Sequence, residues 1–421
     1  MNFEFIWDFY ELNFYLFQSL ILAMQTLEVK KDIHWVGVLN ATIRAFDVVF
    51  ETRFGTTYNS YLIQADKPTL IDGVHEKFAG EFLDKLRSLI NLRDIQYVVV
   101  NHTEMDHSGA LSYVLKENPN VQILSTKTAS LFLKNMLHMD FKGKTVEDGE
   151  CISLGNKQLK FIHAPYWHWP DTMFTYLEED HVLFPCDGFA THFCDERLFD
   201  DRVDNFTDDF RHYYEHVMGP YRKKILEAIE KIKGLNIQLI APSHGPILRT
   251  DPWKYINAYK DWSTPRKDPN KRLIVVFYAS MYGNTKKMAE AVAKGASIMN
   301  TEVKLFDAAS VSPEFMRCEI ESADGVLFGS STINGDALRP LWDIIDVMFS
   351  VNIKGKKCAT FGTYGWSGEA TRLMEDRLKG LKLNVVQPPF KVIFKPTEED
   401  LKKCGIFGYD FAKSLTSTSS A

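Results

Sequence analysis

None of the six cysteines, Cys151, Cys186, Cys194, Cys318, Cys358 and Cys404, belongs to a CxxC pair. This removes zinc ribbons, rubredoxin-type iron sites and ferredoxin-type clusters, all of which need closely spaced thiolates. A disulfide framework is also out of place in a chain of 421 residues, which builds cores without cross-links. The thiols therefore point to a reducing compartment, the cytoplasm. Strong charge of one sign is missing too: a net charge of -6 gives nucleic acid or an anionic membrane nothing to attract. No GxGxxG dinucleotide fingerprint occurs. Residues 1–29 contain no Lys or Arg, whereas a secretory leader starts with positive charge. Glu4, Asp8 and Glu11 interrupt the apolar residues of this stretch short of the ~20 needed to cross a bilayer. No membrane span is expected, and residues 1–27 read as an N-terminal extension, either from an upstream start or packed onto the first domain.

What is present suffices for two globular domains, since 45% of residues are hydrophobic and 25% charged. Up to residue 184, short β-rich runs at 60–63, 97–100, 121–124 and 159–162 alternate with turn signals. Helical spacing marks 78–89 and 213–232, the latter with Lys223, Lys224 and Lys231 on a solvated face. Residues 250–272 carry Pro252, Pro265 and Pro269 among charges and read as a connector, with a domain boundary near residue 270. Beyond it, strands at 273–279, 303–306, 326–329 and 358–362 alternate with helices at 285–299 and from about 338 and 369. That alternation demands right-handed crossovers and a doubly wound parallel sheet. The resulting division is a first domain over 28–265, a linker at 266–272, a second domain over 273–415 and a polar tail over 416–421.

The densest chemistry lies at 101–109, NHTEMDHSG, directly after the apolar run 97–100. His102, Glu104, Asp106 and His107 fall within six positions, and a turn leaving a strand end can aim such side chains into one pocket. His168 in WHWPD, Asp187 in PCDGF and His244 in APSHGP each follow another predicted strand. A lone histidine is usually a surface or satisfied core residue. A recurring set at strand ends is better explained by two adjacent cations. Tyr58, Trp169, His192, Tyr213 and Tyr214 are aromatic neighbours for which, taken singly, core packing is the simpler reading.

Three loops of the second domain also follow strands. SMYGNT, formed by Ser280, Met281, Tyr282, Gly283, Asn284 and Thr285, lets backbone N–H groups and a helix N-terminus converge on a phosphate. SSTING contains Ser330, Ser331, Thr332, Ile333 and Asn334, and TYGWSG runs through Thr363, Tyr364, Gly365, Trp366, Ser367 and Gly368. In an open α/β sheet the ligand crevice forms at that strand edge.

The first motif resembles the H-x-H-x-D-H of the metallo-β-lactamase superfamily, with Glu104 in place of the second imidazole. A carboxylate is a harder donor and favours iron over zinc. The whole run, HTEMDHSG, HWPDTMF, DGF and APSHGPI followed by YGWSG, resembles the flavodiiron proteins, or A-type flavoproteins. The resemblance implies a metallo-β-lactamase-like αββα sandwich followed by a flavodoxin-like domain, without a fused rubredoxin. It implies one iron on His102, Glu104 and His168, another on Asp106 and His244, and Asp187 bridging them. Family members differ on whether the imidazole at His107 reaches the metal. They often carry a histidine at the position of Asp47.

The resemblance further implies FMN, whose ring would lie between the second and third loops. The expected reaction is reduction of O2 to water, of NO to N2O, or of both. Electrons would come from an external donor such as rubredoxin or a reduced deazaflavin, and a head-to-tail homodimer or dimer of dimers would bring each flavin to its partner's irons. The alternative is a zinc hydrolase of the same superfold with an accessory flavodoxin-like domain.

Overall fold

The computed structural model describes residues 26–416 apart from 49, 265–270 and 352, and the chain divides into two units, Met1–Thr264 and Pro265–Ala421. In the first unit, period-two alternation builds two facing sheets. Along Gln158–His163, Leu159 and Phe161 enter the core between the sheets, while Ile162 faces the helices outside. One sheet pairs Leu27–Lys30, Ile33–Trp35, Tyr61–Ile63 and Thr69–Ile71 antiparallel, then continues parallel through Tyr97–Val100, Gln122–Ser125 and Lys142–Thr145. The other runs antiparallel through Cys151–Ser153, Gln158–His163, Met173–Leu177 and Val182–Phe184 and ends on a parallel strand, Leu239–Ile240. Ala79–Leu89 and Leu111–Glu117 pack outside the first sheet, and Arg222–Ile232 and Pro252–Ser263 outside the second. The result is the expected αββα sandwich. Among the described residues no helix is long and apolar enough to cross a membrane.

In the second unit, Thr301–Asp307, Arg272–Ala279, Gly325–Ile333 and Lys357–Tyr364 lie side by side and parallel, and Asn384–Val385 and Phe390–Ile393 both pair with the last of these. The first strand of the unit, Arg272–Ala279, lies inside the sheet between the second, which is the edge, and the third, which is the flavodoxin-like order. Asn284–Ala296 and Glu398–Thr416 cover one face, and Pro313–Ser322, Arg339–Asp346 and Ala370–Gly380 the other.

Several local expectations fail. Part of the proposed connector is the helix Pro252–Ser263, because Pro252 occupies the first turn, where its missing N–H costs nothing, and Asp251 caps the Lys254 N–H. Helical spacing at 213–232 covers a π-helical stretch, Tyr214–Met218, and a 3-10 turn, Gly219–Tyr221, before Arg222–Ile232 begins, with Pro220 at the break. Arg272, assigned to the linker, already belongs to a strand, and Leu27, assigned to the extension, begins the first one. The proposed tail is helical at Thr416; the remaining tail and residues 1–25 lie outside the described residues. Replacing the capping side chain, Asp251→Ala, is expected to lower stability by about 1 kcal/mol in denaturant titration. An unchanged midpoint would show the cap contributes nothing.

Candidate metal centre

Strand ends deliver all the predicted ligands. Beyond Tyr97–Val100, the Asn101 backbone N–H and side-chain amide donate to the buried Asp72 carboxylate at 2.7 and 2.9 Å, pinning the exit of the chain from the sheet. His102 and Glu104 follow in the exit loop, and the short turn Met105–Ser108 presents Asp106 and His107. Asp187 comes three residues after Val182–Phe184, behind Cys186 in the left-handed region at φ 49. His244 follows Leu239–Ile240 and precedes Gly245 at φ +75, where a Cβ would stand 2.5 Å from Thr191 Cγ2. Only glycine allows that turn.

Two donor sets result. His102, Glu104, His168 and Asp187 form one, and Asp106, His107 and His244 the other, the ligating atoms within each lying inside 4.8 Å of one another. Asp187 faces both. Its Oδ2 is 3.0 Å from His168 Nε2 and 3.7 Å from His102 Nε2, whereas its Oδ1 is 3.1 Å from His107 Nε2 and 3.4 Å from His244 Nε2. Glu104 Oε2 stands 3.2 Å from both His102 Nε2 and His168 Nε2, and Asp106 Oδ2 is 3.1 Å from His244 Nε2.

A layer of residues not singled out in the sequence orients these donors. Both Asp171 oxygens lie 3.3 Å from His102 Nδ1, and the same carboxylate accepts from the Thr103 N–H and hydroxyl at 2.8 Å. The Thr57 carbonyl is 2.6 Å from His244 Nδ1, and the Ser243 hydroxyl donates to Asp187 Oδ1 at 2.5 Å. Such partners fix the tautomer and aim of a metal-binding ring. Asp171 stands in WHWPD beside a candidate ligand, but its partner is His102, 69 residues away. Nothing local marks Asp72, Thr57 or Ser243.

Four of the five flagged aromatic neighbours touch the donors. The Trp169 ring lies 5.1 Å from His102, and Tyr58, His192 and Tyr213 stand 5.8, 5.4 and 6.4 Å from His244. Phe46, which was not flagged, joins them at 5.4 Å. Tyr214 instead packs in the helical core, its hydroxyl 2.8 Å from Ser263 Oγ.

In the second unit the three loops meet at the strand edge. Thr285 is fully buried, and its hydroxyl lies 3.0 Å from Ser331 Oγ and 2.8 Å from Thr363 Oγ1. Gly283, at φ +76, stands before the helix Asn284–Ala296 with open space around a would-be Cβ. Ser330–Ile333 is strand rather than loop, and Asn334 and Gly335, at φ 48 and 77, turn it back into Asp336–Ala337. Trp366 and Tyr282 project outward, 89% and 84% exposed, with Met281 and Ile333 also exposed. The edge thus offers apolar surface for a flat ring.

Residues 56–245 match the model of the ODP family beta lactamase, and residues 276–408 match flavodoxin. A flavo-diiron protein of Clostridium acetobutylicum, FprA2, is 38% identical over 93% of this chain and 100% of its own length. A nitric oxide reductase of Moorella thermoacetica is also 38% identical, over 93% of this chain and 99% of its own. Among solved structures, the rubredoxin oxygen:oxidoreductase of Desulfovibrio gigas superposes with a TM-score of 0.70 at 29% identity, covering 94% of this chain and 100% of that one. The chain belongs to the flavo-diiron protein family.

The donors of this flavo-diiron protein fit a pair of cations. Both Asp106 oxygens and both His107 ring nitrogens are buried without a hydrogen-bond partner, although other donors lie near 3 Å. Atoms that converge without hydrogen-bond alignment point at a common centre. In the second unit, the buried Ser280 hydroxyl likewise lacks a partner, as a phosphate-facing group would.

The electrostatics agree. Burial would lower the imidazole pKa values, but the nearby carboxylates of Asp187 and Glu104 push His168 up to about 9, and those of Asp106 and Asp187 push His244 up to about 10. Burial would raise Glu104, yet His102 and His168 hold it far below the usual carboxylate range. Partial desolvation, then Glu104 and Asp106, raise Asp47 to about 6.

Without metal, protons on these rings take the place of cations. Since the folded-state values of His168 and His244 exceed the unfolded ~6.5, the stability they contribute is complete below that value and lost as pH rises through about 9 to 10. Chelator-treated flavo-diiron protein should therefore lose thermal stability between pH 7 and 10 more steeply than the iron-loaded form. Parallel pH curves for the two would contradict this.

Proposed function

We propose that this chain is an oxidoreductase that reduces O2 to water, NO to N2O, or both, at a pair of iron ions, with electrons drawn through FMN from an external donor. The observation that carries the reading is the Asp187 carboxylate, with one oxygen toward each donor set. His102, Glu104 and His168 hold one iron, Asp106, His107 and His244 the other, and Asp187 spans both. Ser280, Met281, Tyr282, Gly283, Asn284 and Thr285 receive the FMN phosphate. Ser331, Thr332, Ile333 and Asn334 flank the ring on one side, and Thr363, Tyr364, Gly365, Trp366, Ser367 and Gly368 on the other. The functional units are a diiron domain from the strand Leu27–Lys30 to Thr264 and an FMN domain from the strand Arg272–Ala279 to the helix Glu398–Thr416.

Bound iron supplies one-electron steps and coordination positions for a diatomic gas, and bound FMN stores two further electrons. The protein's own part is positioning and exclusion of water. Three carboxylates, Glu104, Asp106 and Asp187, offset the charge of two cations, and Asp171 and the Thr57 carbonyl hold two of the imidazoles in their ligating orientation. Phe46, Tyr58, Trp169, His192 and Tyr213 wall the pocket. Burial pushes the Tyr58 hydroxyl up to about 12, so it stays protonated and can donate a hydrogen bond at neutral pH.

O2 reduction consumes four electrons and four protons, and coupling of two NO molecules consumes two of each. A chain with two irons and one flavin stores enough for either. The Moorella and Desulfovibrio relatives, named for nitric oxide and for oxygen, support keeping both substrates. The donor is rubredoxin or a reduced deazaflavin, and the assembly is a head-to-tail homodimer or a dimer of dimers. Six scattered cysteines with no CxxC pair favour the cytoplasm.

The test is anaerobic reduction of the iron- and FMN-loaded protein, followed by rapid mixing with O2 and with NO in separate experiments. Flavin reoxidation by at least one gas should outpace that of the iron-free protein by about 100-fold or more, on the scale expected when a metal site performs the chemistry. Equal rates with and without iron would overturn the reading.

A further inference from the structure

Cys186 stands directly before the residue that faces both donor sets. Its sulfur, a ring nitrogen of His107 and a carboxylate oxygen of Asp187 all lie within 4.8 Å of one another, and each of the three residues is 1% exposed. The thiol forms no disulfide. His107 is the residue that this group shares with the second iron set. Neither of its buried ring nitrogens has a hydrogen-bond partner, although Nε2 is 3.1 Å from Asp187 Oδ1 and 3.3 Å from Asp106 Oδ1. This imidazole belongs to two donor sets at once, one of hard oxygen and nitrogen donors with Asp106 and His244, the other containing sulfur.

Thiolate is a soft ligand that favours Zn(II) or Cd(II), whereas the set of Asp106, His107 and His244 holds no sulfur and gives a thiophilic cation no such preference. We propose that His107, Cys186 and Asp187 form an alternative metal position overlapping the second iron position, where a thiophilic divalent cation is held through sulfur in competition with iron. Binding exchanges the S–H bond for a sulfur–metal bond and releases one proton to solvent; no electron is transferred. The proposal rests on the reading that Asp106, His107 and His244 hold the second iron. It makes Cys186 a determinant of which metal the chain retains.

The experiment uses full-length, iron- and FMN-loaded protein in which the exposed Cys151 and Cys318 are replaced by serine. Cadmium chloride is added while the ultraviolet sulfur-to-cadmium charge-transfer band and the iron released to a chelator are followed together. The band should grow to one cadmium per chain as one iron leaves. Adding Cys186→Ser, with iron and FMN contents checked before titration, should abolish the band and raise the cadmium needed for half-release of iron by about 10-fold or more. If the serine variant fails to retain iron, Cys186→Ala provides the same comparison.

An undiminished band without Cys186, or iron release with no band in the parent, would overturn the proposal. The underlying ligand assignment fails separately: His107→Gln retaining both irons would contradict it whatever cadmium does.

Discussion

One buried carboxylate organises the metal-binding half of this protein. Asp187 turns one oxygen toward His102 and His168 and the other toward His107 and His244, with Ser243 donating to it from the side. Glu104 and Asp106 complete an acidic trio in the same pocket. At an effective dielectric of ~20, two like charges ~4 Å apart repel by roughly 4 kcal/mol. Such a trio is tolerable only with compensating positive charge, supplied by protonated imidazoles in the empty pocket and by two cations in the filled one. The raised imidazoles and the depressed Glu104 are two expressions of that single constraint.

The fold holds the constellation in place by making each donor the continuation of a strand. Four strands precede the donors, Tyr97–Val100 from the first sheet and Gln158–His163, Val182–Phe184 and Leu239–Ile240 from the second, and further hydrogen bonds fix the aim of donors that leave them. Asp72 grips Asn101, Asp171 grips His102 and Thr103, and the Thr57 carbonyl meets His244. The flavin-loop edge obeys the same logic with different chemistry. Thr285, Ser331 and Thr363 tie three loops through one buried hydroxyl cluster, leaving Ser280 and the helix N-terminus free to meet an anion.

Much of this was legible in sequence because the signals are local. His102, Glu104, Asp106 and His107 share one strand exit, and His168, Asp187 and His244 each sit among the glycines and prolines that turn a chain after a strand. The three flavin loops are equally local. What sequence hid depends on distant partners. Asp171 meets a histidine 69 residues away, and Thr57 meets one 187 residues away. Cys186 went unread because no second cysteine stands nearby, whereas its neighbours in space are a histidine and an acid. The connector expected over 250–272 gives way to the helix Pro252–Ser263 because Pro252 is a first-turn residue there and not a breaker. In 213–232, apolar periodicity continued across a π-helical stretch and Pro220, where the backbone does not.

On the proposed assignment Asp187 would be a ligand to both irons, and a shared ligand would couple the spins of the ions it joins. Electron paramagnetic resonance of the iron-loaded protein, taken through stepwise reduction, reads that coupling directly. The account predicts a silent fully oxidised state and a mixed-valence signal from an exchange-coupled pair at intermediate reduction. That signal should be lost in Asp187→Ala. Isolated ferric signals from two uncoupled ions, or a coupled signal that survives removal of Asp187, would contradict it.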